Sequence, residues 1–239
     1  MTRIAGMMRV RNEARWIRAA VGSILPICDR VVVLDDHSED ATREICESMG
    51  DRVRVIPSPF QGLDERRDKE FLLDELEASG ATWCVAIDGD EILEQQGANR
   101  IAALLDSATV DSFALRIVFL WNSLVTMRTD GVYGSFIRPS VFRLRTGARF
   151  PCTGLGGQFH CGNVPAGLSS GGVIEGARLF HLGYLWRSER LARYNWYTGT
   201  DPDNAAEDRY RHIVQGDVPE VPASARLMHA GPLRLERLC

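Results

Sequence analysis

The sequence has 239 residues, 45% of them hydrophobic and 25% charged, with a formal net charge of −4 and a pI near 5.8. This is ordinary globular composition with length for one large core, and its acidity argues against a broad grip on nucleic acid or anionic lipid. No apolar run is long enough to cross a bilayer, the six cysteines form neither a CxxC pair nor a regular disulfide framework, and residues 1–6 lead straight into a strand-like segment, so the expectation is a reduced, cytoplasmic protein without a membrane span.

In chain order, Ile4 to Val10 reads as a strand, and Asn12 offers an N-cap for a helix with apolar positions Ile17, Ala20, Val21 and Ile24. Arg30 to Leu34 is a β-branched run suited to a strand buried on both faces, ending at Asp35-Asp36-His37-Ser38, where Ser38 or Asp40 can cap the next helix, which runs through Ile45 and Met49 to Gly50. Arg52 to Ile56 is a third strand. A helix from about Asp64 to Ala78 follows, and Trp83 to Ile87 is a fourth strand. Repeated βα units predict an α/β fold with a mostly parallel sheet and helices on both faces, whose ligands gather at the carboxyl ends of the strands.

The second half differs in texture. Phe113 to Leu120 and Phe136 to Leu144 read as strands, and Gly154 to Gly176, rich in Gly, Ser and Pro, reads as long loops. Ser188 is placed to cap a helix carrying Leu191, Tyr194 and Tyr197, and the tail beyond Gly216 has little periodicity.

Asp88-Gly89-Asp90-Glu91 puts three carboxylates directly after a buried strand. Hard oxygen donors of this kind suit Mg2+ or Mn2+, which also bind phosphate oxygens. Taken alone the motif is equally a solvated acidic turn. A second acidic cluster, Asp35 to Asp40, stands at the end of another strand, where a carboxylate can accept from a nucleobase N–H or a ribose hydroxyl.

Taken together these motifs resemble the family 2 glycosyltransferases of the GT-A type. In that family the first strand ends in an Asn-Glu pair, here Asn12-Glu13. The second ends in Asp-Asp-x-Ser-x-Asp-x-Thr, here Asp35 to Thr42, and the fourth in Asp-x-Asp-Glu, here Asp88 to Glu91. An Arg-Asn on the third helix is met more loosely by Arg67-Asp68. The resemblance implies a GT-A fold with a nucleotide-sugar-binding half over residues 1–112 and an acceptor-side half over 113–239. It also implies a divalent metal and a UDP, GDP or dTDP sugar donor. By position, Asp36 with Asp35 beside it would contact the nucleoside, and Arg11 and Asn12 would line the cleft. Asp88 would touch ribose or sugar hydroxyls, Asp90 would ligate the metal, and Arg67 is carried over on the looser match. His181, in Phe180-His181-Leu182-Gly183-Tyr184, is either a late metal ligand or a packed core histidine.

Inversion at the anomeric carbon is the family expectation, and it requires a base to take the acceptor's proton. One branch of the family carries a His-Glu pair where this chain reads His160-Cys161, so the glutamate is missing; His160 is the candidate base, with Glu175 or Asp208 as alternatives. Zinc on Cys152, His160 and Cys161 matches no common spacing. Trp121, Trp186 and Trp196 suit either a sugar platform or the core, and Arg187, Arg190 and Arg193 either a solvated face or a diphosphate clamp. Three other functions weigh less. A non-catalytic nucleotide-sugar-binding module is suggested by the missing glutamate; a nucleotidyltransferase would carry a Gly-rich loop after the first strand, and an NAD-dependent oxidoreductase a GxGxxG there. The acceptor is expected to be a small molecule or peptide; the oligomeric state is not encoded in any motif.

Overall fold

The computed structural model describes residues 2–151 and 161–217 and the backbone of 235–237. The chain forms two compact units, Met1–Arg116 with Ile137–Leu179, and Ile117–Phe136 with Phe180–Cys239.

The first unit is built on alternating strands and helices: β1 Ile4–Val10, α1 Ile17–Ile24, β2 Arg30–Asp35, α2 Thr42–Glu47, β3 Val53–Pro57, α3 Glu65–Ala78 and β4 Trp83–Ala86. These four strands are parallel in the order β4-β1-β2-β3. β5 Glu91–Leu93 and α4 Gln95–Leu105 follow. The beginning of β6 (Ser112–Trp121) pairs antiparallel with β8 (Ile137–Arg143), which pairs antiparallel with β4.

Strand alternation sends Ala5 and Met7 of β1 and Val32 and Leu34 of β2 into one core with Leu72, Leu73 and Leu76 of α3. The opposite face takes α1: a Cβ on Gly6 would lie 2.6 Å from Ile24 and 3.0 Å from Val31, so only glycine lets that helix sit so close. Helices thus cover both faces, as expected of a sheet whose central strands are apolar apart from Arg9, Arg30 and Asp35 near their ends. β1 lies between β2 and β4, and the chain reverses its direction of travel across the sheet there, the place where sheets of this kind bind ligands at the carboxyl ends of their strands.

Three local expectations are corrected. Asn12 does not cap α1, whose N-cap is Trp16 without a side-chain bond; it is held with Ser38 in a clamp described below, and of the two caps offered for α2 it is Asp40, not Ser38, whose side chain accepts from the helix, at the Thr42 N–H at 3.0 Å. The predicted loop from 154 to 176 is in part a strand, β9 Ser170–His181, which pairs with β5. Its glycines hid it: a Cβ on Gly171 would stand 2.3 Å from the Phe113 ring, so glycine here marks close approach to a neighbour and not a turn. Finally, α5 Arg187–Thr200 has Trp186 as its N-cap, two residues ahead of the predicted Ser188 cap.

In the second unit the end of β6 turns at Asn122, which has a φ of 64°, into β7 Ser123–Arg128. The backbone of β10 Leu235–Arg237 lies antiparallel to β7, and α5 is followed by α6 Pro202–Ala206. Its interior holds Trp121 and two buried arginines, Arg128 and Arg190.

Candidate nucleotide site at the carboxyl ends of the strands

The register places the sequence motifs side by side. Val10 pairs with Asp35 and Met7 with Ala86, so the turns after β1, β2 and β4 all open at the same edge of the sheet. The first two turns are bolted together by four hydrogen bonds. The Asn12 backbone N–H donates to Ser38 Oγ at 2.9 Å, Glu39 N–H to Asn12 Oδ1 at 2.8 Å, Glu13 N–H to Thr42 Oγ1 at 2.7 Å, and Ala14 N–H to Asp40 Oδ2 at 3.0 Å. Asn12 and His37 both adopt a φ of 55°, a left-handed conformation that asparagine tolerates well. Ser38, Asp40 and Thr42 of the Asp-Asp-x-Ser-x-Asp-x-Thr pattern therefore act through the turn after β1, accepting from its backbone N–H groups.

Asp35 and Asp36 are both buried, and Oδ1 of Asp35 has no hydrogen-bond partner among the described residues. A buried carboxylate oxygen without a donor is costly unless a ligand supplies one. Asp36 Oδ2 is held by Arg9 Nη2 at 2.5 Å, and Arg9 Nε reaches Asp68 of α3 at 2.8 Å. Arg11 is exposed on the strand end beside them. Arg67 donates to both its neighbour Asp68 and the carbonyls of Gln61 and Gly62, and its guanidinium lies 4.4 Å from the Phe60 ring centre.

The turn after β4 is packed directly onto the turn after β1. A Cβ on Gly89 would meet Glu13 Cγ at 2.8 Å and Val10 Cγ1 at 3.1 Å, so the residue between the two aspartates has to be glycine. Asp90 and Glu91 are buried, whereas the Asp88 side chain is about half exposed, at 48%. Arg138 of β8 joins them, with Nη1 2.9 Å from Asp88 Oδ2 and Nη2 2.5 Å from Glu91 Oε2. Burial pushes the Glu91 carboxyl up to about 7 against the lowering effect of Arg138. Burial opposes the charge on Arg138, but Glu91 and Asp88 outweigh it and raise its pKa.

Other predicted residues lie elsewhere. His160 and Cys152 fall outside the described residues. Glu175 is exposed and Asp208 is half-buried with a φ of 55°. His181 belongs to the second unit, where its ring lies 4.7 Å from that of Tyr184 and 5.1 Å from that of Phe119. Trp121 is fully buried while Trp186 and Trp196 are partly exposed, and Arg190 is buried in an ion pair with Asp217. Cys28, Cys46, Cys84 and Cys161 are free thiols. Among the described residues no group of three or more His, Cys, Asp or Glu converges to hold a metal by itself, and no helix is long and apolar enough to cross a membrane.

Sequence reasoning missed Arg138, which no local pattern ties to Asp88 fifty positions earlier. It also missed the part played by Arg9 and Asp68, although a signal existed: each is a charge on an otherwise apolar stripe.

Comparison with known proteins bears on this geometry. Staphylococcus aureus TarS residues 1–349 share the fold, with a TM-score of 0.52 and 14% identity over 90% of this chain and 71% of that one. The same protein solved in complex with UDP-GlcNAc gives a TM-score of 0.54 at 13% identity, covering 87% of this chain and 70% of that one. The α/β architecture of the GT-A type expected from the sequence is the one observed. In sequence, an uncharacterized protein of Mycobacterium tuberculosis is 27% identical over 216 residues, 84% of this chain and 51% of that protein. An uncharacterized glycosyltransferase of Rickettsia felis is 30% identical over 131 residues, 54% of this chain and 42% of that protein. The chain thus spans about half the length of the curated relatives it matches. The model of glycosyl transferase family 2 matches residues 7–155, more than half of the sequence and every motif at the sheet edge, and the chain belongs to that family.

Proposed function

We propose that the chain moves a sugar from a nucleoside-diphosphate sugar to a hydroxyl or similar nucleophile, with the donor bound at the carboxyl edge of β1, β2 and β4. The observation that carries this reading is the joining of three motif-bearing turns at one sheet edge, where the chain reverses direction and Asp35 holds a buried acceptor oxygen without a donor. TarS, which has the same fold, has been solved with UDP and with UDP-GlcNAc, so a UDP-sugar is the first donor to test, followed by GDP- and dTDP-sugars.

Asp35 and Asp36 accept from the nucleoside, Arg11 and Asn12 line its cleft, and Asp88 takes ribose or sugar hydroxyls. The carboxylates after β4 fit a divalent metal by donor chemistry. Mg2+ and Mn2+ are hard ions that are held by one or two carboxylates together with substrate phosphates, so a full protein cage is not required. Asp90 is the proposed ligand. Such a metal, when bound, offsets the negative charge that develops on the departing diphosphate. Around it Gly89 packs closely on Glu13, and Arg138 balances part of the carboxylate charge. Residues 1–112 are assigned to the donor side and 113–239 to the acceptor side, with Arg138 reaching the donor side from the later half. His160 is the proposed base for an inverting reaction on a small-molecule or peptide acceptor.

The test is turnover. Purified protein is given UDP-, GDP- and dTDP-sugars with Mn2+ and a panel of acceptors, and nucleoside diphosphate release is followed. Release with one donor, lost in Asp90→Asn, supports the reading. Nucleotide binding without any release across the panel would favour a non-catalytic binding module instead.

A further inference from the structure

The charges beside the proposed nucleoside site continue three apolar stripes. Along β1, Ala5 and Met7 face α3, and Arg9 follows two residues later on the same side. Along β2, Val32 and Leu34 face the same core, and Asp36 comes next in the alternation. On α3, Leu76 and Leu72 are buried a turn apart, and Asp68 stands one turn earlier at 0% exposure. Each stripe ends in a charge, and the three charges meet.

Their connections are specific. Arg9 spans the gap with two different nitrogens, Nε to Asp68 Oδ2 at 2.8 Å and Nη2 to Asp36 Oδ2 at 2.5 Å. The other oxygen of Asp68 accepts from Arg67 Nε at 2.9 Å and Nη2 at 2.8 Å. A neutral amide offers one acceptor oxygen, whereas a carboxylate can serve Arg9 and Arg67 at once. Asp68 and Arg9 therefore read as a matched pair, and Arg67 belongs to their anchor.

We propose that Arg9 is a positioning residue for nucleoside recognition: braced against Asp68 of α3, it fixes the orientation of the Asp36 carboxylate. This rests on the reading of Asp36 as a nucleoside contact. The guanidinium is suited to the task because its donors lie in a rigid plane, so one anchored nitrogen dictates where the others point. A lysine is a single point charge on a flexible stem and cannot hold both carboxylates in that geometry.

The experiment is calorimetric titration of wild type, Arg9→Lys, Arg9→Gln, Asp36→Asn and the Arg9→Lys/Asp36→Asn double variant. The probes are UDP, GDP and dTDP in Mn2+, with inorganic pyrophosphate as a probe lacking the nucleoside; thermal melts confirm folding. Arg9→Lys keeps the charge and remains informative if Arg9→Gln fails to fold. The expected result is at least a tenfold loss of affinity for the preferred nucleotide in Arg9→Lys, pyrophosphate affinity unchanged, and no further loss in the double variant beyond Asp36→Asn. Wild-type nucleotide affinity in a folded Arg9→Lys, with Asp36→Asn impaired, overturns the positioning role and leaves the site intact. Equal loss of pyrophosphate and nucleotide binding also overturns it, and failure of wild type to bind any nucleotide removes both the role and the site.

Discussion

Each unit of the chain pairs arginines with carboxylates, and the two do so differently. In the second unit Arg190 is 1% exposed and all its donors are engaged, by both oxygens of Asp217, the carbonyls of Tyr184 and Leu185, and Asn122 Oδ1. Arg128 is similarly enclosed by Asp130, the His212 carbonyl and Gln215, and both guanidiniums lie over the Trp121 ring, at 4.4 and 4.6 Å. In the first unit Arg9 and Arg138 keep side-chain exposures of 15% and 20%, and Nη1 of Arg9 has no partner among the described residues. A saturated, sealed arginine holds a fold together. One that is partly open and shared between two carboxylates can orient them for something that arrives later. The chemistry is the same in both units, and the degree of enclosure separates the roles.

The comparison can be broken most sharply at Arg190. Removing one partner of a sealed ion pair leaves a buried, uncompensated charge, so Arg190→Met should lose about 3–5 kcal/mol of stability. In a chain of this size that is a fall in melting temperature on the order of 10 °C by calorimetry. If Arg190→Met melts like wild type, enclosure is no guide to structural role. Arg138→Met should cost less, about 1–3 kcal/mol, because Asp88 is half exposed and Glu91, already raised to about 7, can take a proton when its cation leaves. A loss as large as that of Arg190→Met in chemical denaturation would erase the distinction between the two units.

A change of one methyl group sharpens the account at the acidic turn. Gly89→Ala forces Glu13 or the backbone to move and should cost roughly 1–3 kcal/mol, along with a measurable rise in nucleotide Kd; unchanged stability and affinity would mean the turns after β1 and β4 are not tightly coupled. The smallest effect is expected at the rim of the first unit. Hydrogen bonding by Arg145 and Ser169 draws the partly buried Asp111 carboxyl down from its ordinary 3.8 to about 2. Because its folded-state pKa lies below the unfolded one, its contribution is present above pH 3.8 and lost as pH falls through about 2. Asp111→Asn should therefore be slightly less stable than wild type near neutral pH and converge with it toward pH 2 in acid-denaturation curves.

The parallel half of the sheet was legible in the sequence because its strands are buried on both faces. Runs such as Val31 to Leu34 have no other stable use, and β1 spans the predicted Ile4 to Val10. The acidic ends of β2 and β4 were legible for the complementary reason, since carboxylates directly after buried strands are conspicuous. What escaped was whatever depended on a partner distant in sequence. Asn12 looked like a helix cap because its neighbours in sequence suggest one, but its side chain answers to Glu39 across the turn. β9 was hidden by Gly171, which packing against Phe113 requires, and by Gly176, whose φ of 71° favours glycine, and Arg138 by fifty residues of separation from Asp88.

The central claim is that the carboxyl edge of β1, β2 and β4 binds a nucleotide through a divalent metal at Asp90. Titration of UDP, GDP and dTDP into wild type and Asp90→Ala, in Mn2+ and in EDTA, tests it most directly. The account predicts metal-dependent binding of one nucleotide that Asp90→Ala abolishes in a protein that still melts cooperatively. Absence of binding for all three nucleotides, or binding that persists unchanged in EDTA and in Asp90→Ala, would contradict it.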